Sequence, residues 1–230
     1  ISVFQDGVSI SRSRASVVEL FDLERVEVVK GPQGTLFGRG AEIGAVHVIR
    51  NKPTNVLSGE LSVGYGSYNQ KLASGYINTP FAEGKLANRF AFSYNARDGF
   101  IKNISGGRLN GKSTIALRNS TRYWLGDKTT ADLVFDYQYD DYPGTSFKSK
   151  TYAPAGGDTD PNSAADLEQG EGLYIKRHVG GAAFLLDHEL NANWKLSSIT
   201  GFRAFNSDES FDADGTPAPI LWISEKAKGT

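Results

Sequence analysis

The segment that decides the fold of this chain is LERVEVVKGPQGTLFG, which occupies residues 23–38. Within it, Glu24–Lys30 alternates charged and apolar side chains, and this period of two predicts a short strand. Gly31 and Pro32 end the strand, because proline cannot donate to a strand ladder and glycine tolerates a positive φ. The segment therefore predicts a strand followed at once by a glycine-rich turn.

The residues around this segment are predicted to form one compact α+β unit. Residues 1–57 hold two short apolar runs, Val26–Val29 and Ala45–Ile49, and short strands buried on one face are typical of such a unit. We expect Val17–Leu23 to form a short helical turn. The glycines between the two runs would suit a phosphate-binding loop, but neither G-x-x-x-x-G-K-[ST] nor G-x-G-x-x-G occurs in that segment, so tight turns are the better interpretation.

From Ser58 onward the chain alternates strictly between apolar and polar side chains. In Leu86–Arg97 the aromatic residues fall on even positions, and in Thr130–Asp140 the apolar residues fall on odd positions. Strands are therefore predicted over these two ranges and over three more, which are Ile115–Trp124, Val179–Leu190 and Trp194–Phe205. Soluble sandwiches and lipocalin-like barrels alternate in the same way. However, strands of about 10–12 residues match a tilted membrane crossing, whereas soluble strands average nearer five or six.

The connections between these strands alternate in length. Three of them are short, Phe81–Lys85, Gly126–Lys128 and Asn191–Asn193, whereas Gly99–Lys112 and Pro143–Leu173 are long. Short turns at one end and long loops at the other are the layout of outer-membrane barrels.

The composition excludes several functional classes. Lys and Arg total 25 against 26 Asp and Glu, so the chain lacks the basic excess of a nucleic-acid-binding protein. The absence of Cys and the wide spacing of the three His argue against thiolate chemistry and zinc sites. The chain contains no apolar run of about 18 residues, so the sequence predicts no membrane-spanning helix. We expect no cofactor, no metal and no catalytic residue, and we interpret the acidic pairs Asp140/Asp141 and Asp158/Asp160 as solvated loop and lumen charges.

Residues 23–38 closely resemble the plug-domain signature of TonB-dependent receptors. Arg39–Ile49 resembles the next part of that signature, and Phe4–Val8 resembles the plug strand and turn upstream of it. The resemblance implies a mainly β fold, with the C-terminal part of an α+β plug domain over 1–57 and the N-terminal part of a transmembrane antiparallel β-barrel over 58–230. Barrels of this family have about 22 strands and a plugged lumen, so the chain would supply about the first seven or eight. We expect both chain ends to be cuts in a longer protein.

The resemblance also implies a function. It predicts active import of a scarce nutrient, most simply a ferric siderophore, across the bacterial outer membrane, and not an enzyme. The expected partners are outer-membrane lipid, the small-molecule ligand and the TonB–ExbB–ExbD complex, which would pull on a segment upstream of residue 1. Oligosaccharide, cobalamin or nickel-complex import, a signal-transducing receptor, a passive porin or adhesin, and a soluble β-sheet binding module are the alternatives.

The same resemblance indicates candidate site residues. Ser11, Arg12, Ser13 and Arg14 fall where a plug apical loop is expected, and the two arginines could bind an anionic ligand or pair with barrel carboxylates. Pro143–Leu173 is a candidate ligand-gating loop or a surface loop without ligand contact.

The resemblance singles out four further plug residues. The resemblance implies plug–barrel contacts for Arg25 and Arg39, and solvated salt bridges are an equally good interpretation of both. His47 and Glu42 depart from the usual pattern of the family, and we expect His47 to pack in the plug core or against the barrel.

Overall fold

The computed structural model describes residues 2–10, 13–32, 34–37, 43–149, 160 and 163–230. Its first part is an N-terminal unit with a four-stranded sheet in the order β2-β1-β4-β3, in which β1 and β4 are parallel and the other pairs antiparallel. Its elements are β1 (Ser2–Gln5), β2 (Val8–Ile10), α1 (Ser13–Ser16), β3 (Leu23–Lys30), α2 (Gly34–Phe37) and β4 (Gly44–Arg50). The strands predicted at Val26–Val29 and Ala45–Ile49 are confirmed.

The helix α1 ends at Ser16, directly before the predicted helical turn, so the expectation for Val17–Leu23 was wrong. Residues 17–21 are irregular, because polar side chains of the large sheet satisfy their backbone groups in place of helical hydrogen bonds. Glu19 N donates to Gln138 Oε1 at 2.7 Å, and Arg177 Nη2 donates to Val17 O at 2.7 Å. At Asp22 the backbone takes a positive φ of 49°, which a continuing helix excludes.

The second part is an eight-stranded antiparallel sheet, the wall, in which each strand pairs with its neighbours along the chain. Its strands are β5 (Ser58–Gly66), β6 (Gln70–Phe81), β7 (Leu86–Arg97), β10 (Lys112–Trp124), β11 (Thr129–Pro143), β12 (Tyr174–Asn191), β13 (Trp194–Asp212) and β14 (Trp222–Gly229). A separate hairpin, β8 (Ile101–Lys102) with β9 (Arg108–Leu109), lies in the first long connection, and two 3₁₀ turns occupy Ala82–Gly84 and Gly170–Gly172. All five predicted wall strands are confirmed.

Two wall strands, β12 and β13, extend further at one end than the alternation predicted. The strands β12 and β13 have 18 and 19 residues, and they pair continuously from Tyr174↔Ser210 to His188↔Leu196. A membrane crossing takes about 9–11 residues, so these two strands continue beyond it at the end of the wall that carries the long loops. At these ends polar residues occupy both faces of the strands, so alternation does not predict where the strands end.

The buried face of the wall is the polar one. On β7, Arg89 and Ser93 point inward and are 6% and 7% exposed, whereas Phe90 and Tyr94 point outward and are each 38% exposed. The strands β10 and β11 repeat this arrangement. A soluble antiparallel sheet buries its apolar face, so this inversion excludes the soluble alternative and confirms the transmembrane barrel architecture. No helix in the described ranges is long and apolar enough to span a membrane.

The segment between the two sheets is anchored to the wall. The first sheet ends at Arg50 and the second begins at Ser58. The side chain of Asn78 on β6 is fully buried and makes three hydrogen bonds to this segment. Asn78 accepts from Thr54 N at 3.0 Å and donates to Thr54 O and Val56 O at 2.8 and 2.6 Å. The predicted domain boundary after Leu57 lies in this segment and stays a prediction.

Candidate functional site

The inner face of the wall holds the N-terminal unit through buried ion pairs, and Asp22 is the centre of one cluster. Its carboxylate is 4% exposed and accepts hydrogen bonds from Arg89 on β7 and Arg118 on β10. Its backbone oxygen accepts a further bond from Arg118 Nη2 at 2.9 Å. Burial opposes the charge of Asp22, but the hydrogen bond from Arg89 and the charge of Arg118 outweigh it and lower the pKa below its ordinary value of 3.8.

A second cluster is centred on Asp136 of β11. Asp136 Oδ1 accepts from Arg50 Nη1 of the N-terminal unit and from Arg203 Nη1 of β13, each at 2.9 Å. Arg50 also donates to Asp6, the first residue of the turn between β1 and β2. Arg203 donates to Gln5 Oε1 at 2.7 Å. The carboxylate of Asp136 therefore links three strands, which are β4 of the N-terminal unit and β11 and β13 of the wall.

A third set of contacts lies nearer the long-loop end. Arg177 of β12 bonds the fully buried Asp140 and donates to the backbone oxygens of Arg14 and Val17, each at 2.7 Å. Glu19 Oε2 accepts from Lys112 Nζ at 2.8 Å. The sequence interpretation of Asp140 as a solvated charge was wrong, because its strand position turns it inward against Arg177.

The described part of the predicted apical loop lies at the top of this interface. Arg14 donates through Nε to Glu209 at 3.1 Å and through Nη2 to Glu225 at 2.7 Å, and these hydrogen bonds raise its pKa. Ser13 begins α1, whereas Ser11 and Arg12 lie outside the described residues. The guanidinium of Arg14 is thus engaged with wall carboxylates, and a direct ligand contact for these four residues stays a prediction.

The residues expected to hold the N-terminal unit against the wall, Arg25 and Arg39, and the neighbouring His47 differ in their contacts. Arg25 pairs with Glu24 and Glu27 on its own strand, with Nε 2.7 Å from Glu27 Oε1, so its wall contact stays a prediction. Arg39 lies outside the described residues, as does Glu42. His47 packs within the unit as expected, since its Nε2 accepts from Gly7 N at 2.9 Å and its ring lies edge-on to Phe4 at 6.3 Å.

Two glycines allow the unit and the wall to touch directly. A Cβ added to Gly7 would lie 2.5 Å from Ile199 Cδ1, and one added to Gly201 would lie 2.5 Å from Val8 Cγ1. Gly7 also has a φ of 84°, so both the turn and the contact require it. The β1–β2 hairpin therefore packs closely against β13, with the Ile199 side chain on Gly7 and the Val8 side chain on Gly201.

A cavity of about 440 Å³ opens beside this interface at the long-loop end. Its lining combines apolar and acidic side chains, which are Thr145, Phe147, Ile175, Glu209, Ser210, Phe211, Asp212 and Ala213. Its volume falls within the range of small-molecule sites, about 300–1,000 Å³. Glu209 also bonds Arg14, so the cavity adjoins the predicted apical loop. Within the described ranges, no group of three or more His, Cys, Asp and Glu side chains is placed to bind a metal.

Comparison with known proteins agrees with this arrangement. The structure of the ferric yersiniabactin uptake receptor from Yersinia pestis superposes with a TM-score of 0.83 at 17% identity and covers 99% of this chain and 34% of that one. The TonB-dependent Receptor Plug Domain family matches residues 1–45. Residues 1–45 therefore carry the plug domain of TonB-dependent receptors, and the whole chain has the fold of these receptors. The N-terminal unit is accordingly its plug, and the eight-stranded sheet is part of its barrel wall.

Other relatives are similar in sequence or in fold. The metal-pseudopaline receptor of Pseudomonas aeruginosa is 32% identical over 127 residues, which are 55% of this chain and 17% of that receptor. The ferripyoverdine receptor of the outer membrane of P. aeruginosa superposes with a TM-score of 0.78 at 19% identity, covering 98% of this chain and 31% of that one. The pesticin receptor of Y. pestis is 26% identical over 107 residues, which are 46% of this chain and 16% of that protein. The chain thus spans a minor part of the length of the receptors it matches.

Sequence reasoning missed most of the plug–wall ion pairs. The missed residues are Asp6, Glu19, Asp22, Arg50, Arg89, Lys112, Arg118, Asp136, Asp140, Arg177 and Arg203. One signal was available, because charged side chains recur at the inward positions of the alternating strands. Their partners are distant in the chain, and alternation alone does not pair them.

Proposed function

We propose that the intact protein imports a ferric siderophore by TonB-dependent transport across the bacterial outer membrane and catalyses no reaction. The observation that carries this proposal is the plug, tied to the inner face of the wall by buried charges beneath a cavity at the long-loop end. A plugged lumen excludes a passive pore. The named siderophore receptors with the same fold support the substrate class.

In this proposal the long-loop end faces the cell exterior and the short-turn end faces the periplasm. Residues 1–57 are plug and residues 58–230 are wall, which contacts outer-membrane lipid through its exposed aromatic face. The TonB–ExbB–ExbD complex acts from the periplasm on a plug segment upstream of residue 1. The buried ion pairs then resist the pull until ligand has bound.

We assign ligand capture to the cavity between Phe147 and Phe211 and to the predicted loop residues Ser11, Arg12, Ser13 and Arg14, of which Arg14 bonds the lining residue Glu209. Aromatic side chains and a few charged groups are the usual lining of small-molecule sites. Because Arg14 is bound to Glu209, its contribution is to hold that carboxylate in place, and Arg12 is the residue assigned to an anionic ligand.

Uptake assays test the transport proposal. The full-length receptor would be expressed in a host lacking its own siderophore receptors, and uptake of radioactive iron would be measured from a panel of ferric siderophores with and without TonB. We expect uptake that requires both the receptor and TonB. Uptake that persists without TonB would indicate a passive pore and contradict the proposal.

Binding assays on the purified receptor test the ligand site. We expect Phe147→Ala, Phe211→Ala and Arg12→Ala to weaken siderophore binding, whereas Phe135→Ala on the outer face, which is 51% exposed, serves as the matched control. Unchanged affinity in the first three variants would remove these residues from the site.

Import of a metal chelate other than a ferric siderophore is the second candidate. The 32% identity to the metal-pseudopaline receptor is the observation that favours it. Parallel uptake assays with nickel, cobalt and zinc chelates separate the two, since the second candidate predicts uptake of these complexes and none from any ferric siderophore.

A further inference from the structure

We propose that the first long loop (residues 98–111) and the described parts of the second long loop (residues 144–149 and 163–173) form one folded unit that moves as a single body. The described parts of the second loop then do not move independently of the first. The uptake test of this proposal rests on the proposed transport function, whereas the folded unit stands on the contacts between the loops.

The two loops share an apolar core. Ile101 and Leu109 come from the hairpin β8–β9 in the first loop, and Ala165, Leu167 and Leu173 come from the second. Each of the five is at most 3% exposed, although the segments project beyond the wall. Surface loops rarely bury apolar side chains so completely. Here the burial requires both loops, because neither loop alone covers its own apolar side chains.

Backbone hydrogen bonds add an isolated parallel bridge to this contact. Ala165 pairs in parallel with Asn103, with Ala165 N donating to Lys102 O at 2.9 Å and Ile104 N donating to Ala165 O at 2.8 Å. The Asn103 side chain is 2% exposed and bonds both backbone groups of Leu167, accepting from N at 2.8 Å and donating to O at 3.0 Å. The second loop therefore adds a third strand-like segment to the hairpin of the first.

The loops are also joined where they leave the wall. Asn110 N donates to Gly144 O at 2.9 Å, and the Asn110 side chain exchanges two hydrogen bonds with Ser146, at 2.8 and 2.7 Å. Near the tip, Gly170 has a φ of 54°, and a Cβ there would lie 2.6 Å from Ser105 O. The contacts thus run from base to tip.

These contacts determine how the loops can move. Displacing the second loop alone would break the parallel pairing, expose five apolar side chains and break both hydrogen bonds between the Asn103 side chain and Leu167. Each of these changes is unfavourable. Rotation of both loops about their junctions with the wall breaks none of them. Concerted motion is therefore the accessible one.

Hydrogen exchange on the intact receptor without ligand tests the folded unit. We expect the amides of Ile104, Ala165 and Leu167 to show a common protection factor, and Asn103→Ala to reduce it by the same factor at all three. The control Asn191→Ala removes an exposed turn contact at the opposite end of the wall, to Asn193 N at 3.0 Å, and should leave the loops unchanged. Loss of protection in the first loop alone would overturn the proposal.

A disulfide between the loops tests concerted movement. The chain contains no cysteine, and Ser105 Oγ lies 2.6 Å from Asp166 Oδ1, so Ser105→Cys with Asp166→Cys places two thiols together. We expect the disulfide to form equally with and without ferric siderophore and to leave the uptake rate unchanged. Uptake that is abolished by oxidation and restored by reduction would show that the loops must separate, and would contradict the proposal. If no substrate is transported, the transport proposal fails while the exchange experiment still decides the folded unit.

Discussion

Val8 of the plug packs directly on Gly201 of the barrel wall, with no space for a side chain between them. A Cβ on Gly201 would lie 2.5 Å from Val8 Cγ1 and 2.6 Å from Val8 Cγ2. We expect Gly201→Val to displace the β1–β2 hairpin and to destabilise plug docking by about 1–3 kcal/mol, the usual cost of overpacking. Thermal denaturation of the full-length receptor in detergent, with limited proteolysis of the plug, measures this.

Two further variants control the Gly201 experiment. Val8→Ala removes the two methyl groups in the way, so it should restore part of the stability lost in Gly201→Val. Gly64→Ala places a Cβ 3.4 Å from Leu72, an ordinary contact, and should be neutral. Equal destabilisation by Gly201→Val with and without Val8→Ala would mean that the hairpin contact is not the cause.

Removing the charge of Asp22 should loosen the plug. The change Asp22→Asn leaves Arg89 and Arg118 buried without a counter-charge, and breaking a buried pair in this way costs about 3–5 kcal/mol. Plug release in a urea titration should therefore occur at a lower concentration. The matched change Glu24→Gln breaks an exposed pair with Arg25, which solvent screens, and should leave the midpoint close to that of the wild type. Equal midpoints for the two variants would contradict the assigned role of Asp22.

The contribution of Asp22 should depend on pH in a defined direction. Its pKa in the folded protein is lower than the ordinary value of 3.8, so folding favours the charged form. The stabilisation is therefore fully present above about pH 5 and is lost as the pH falls from there through the lowered pKa. The stability difference between the wild type and Asp22→Asn should be constant from neutral pH down to about pH 5 and shrink below it. A difference that disappears near neutral pH would assign the effect to another group.

Asn78 should hold the connection between plug and wall. Its side chain makes three hydrogen bonds to Thr54 and Val56, and each is worth about 1 kcal/mol. We expect Asn78→Leu to accelerate exchange of the Thr54 amide. The change Asn78→Asp keeps the acceptor for Thr54 N and loses both donated bonds, so it should protect that amide more than Asn78→Leu does. Equal exchange in both variants would show that the amide is protected by something else.

Much of the architecture could be predicted from the sequence because the deciding signals are local. Alternation with a period of two located the five predicted wall strands, and the glycine–proline break after Lys30 marked the end of β3. The segment around it also indicated the receptor family. The ends of β12 and β13 were predicted too short, because polar side chains on both faces remove the alternation there.

By itself, the sequence determined that the wall strands β7, β10 and β11 each have one polar and one apolar face, and that a small glycine-rich unit precedes them. Only the tertiary structure decided that the polar faces turn inward and which charges meet there. Asp22 lies 67 residues from Arg89 and 96 from Arg118, and Arg14 lies 195 from Glu209. The physical reason is that a side chain's face follows from its neighbours along the strand, whereas its ionic partner follows from the strand register and from how the plug is seated in the wall. Those depend on the whole folded chain.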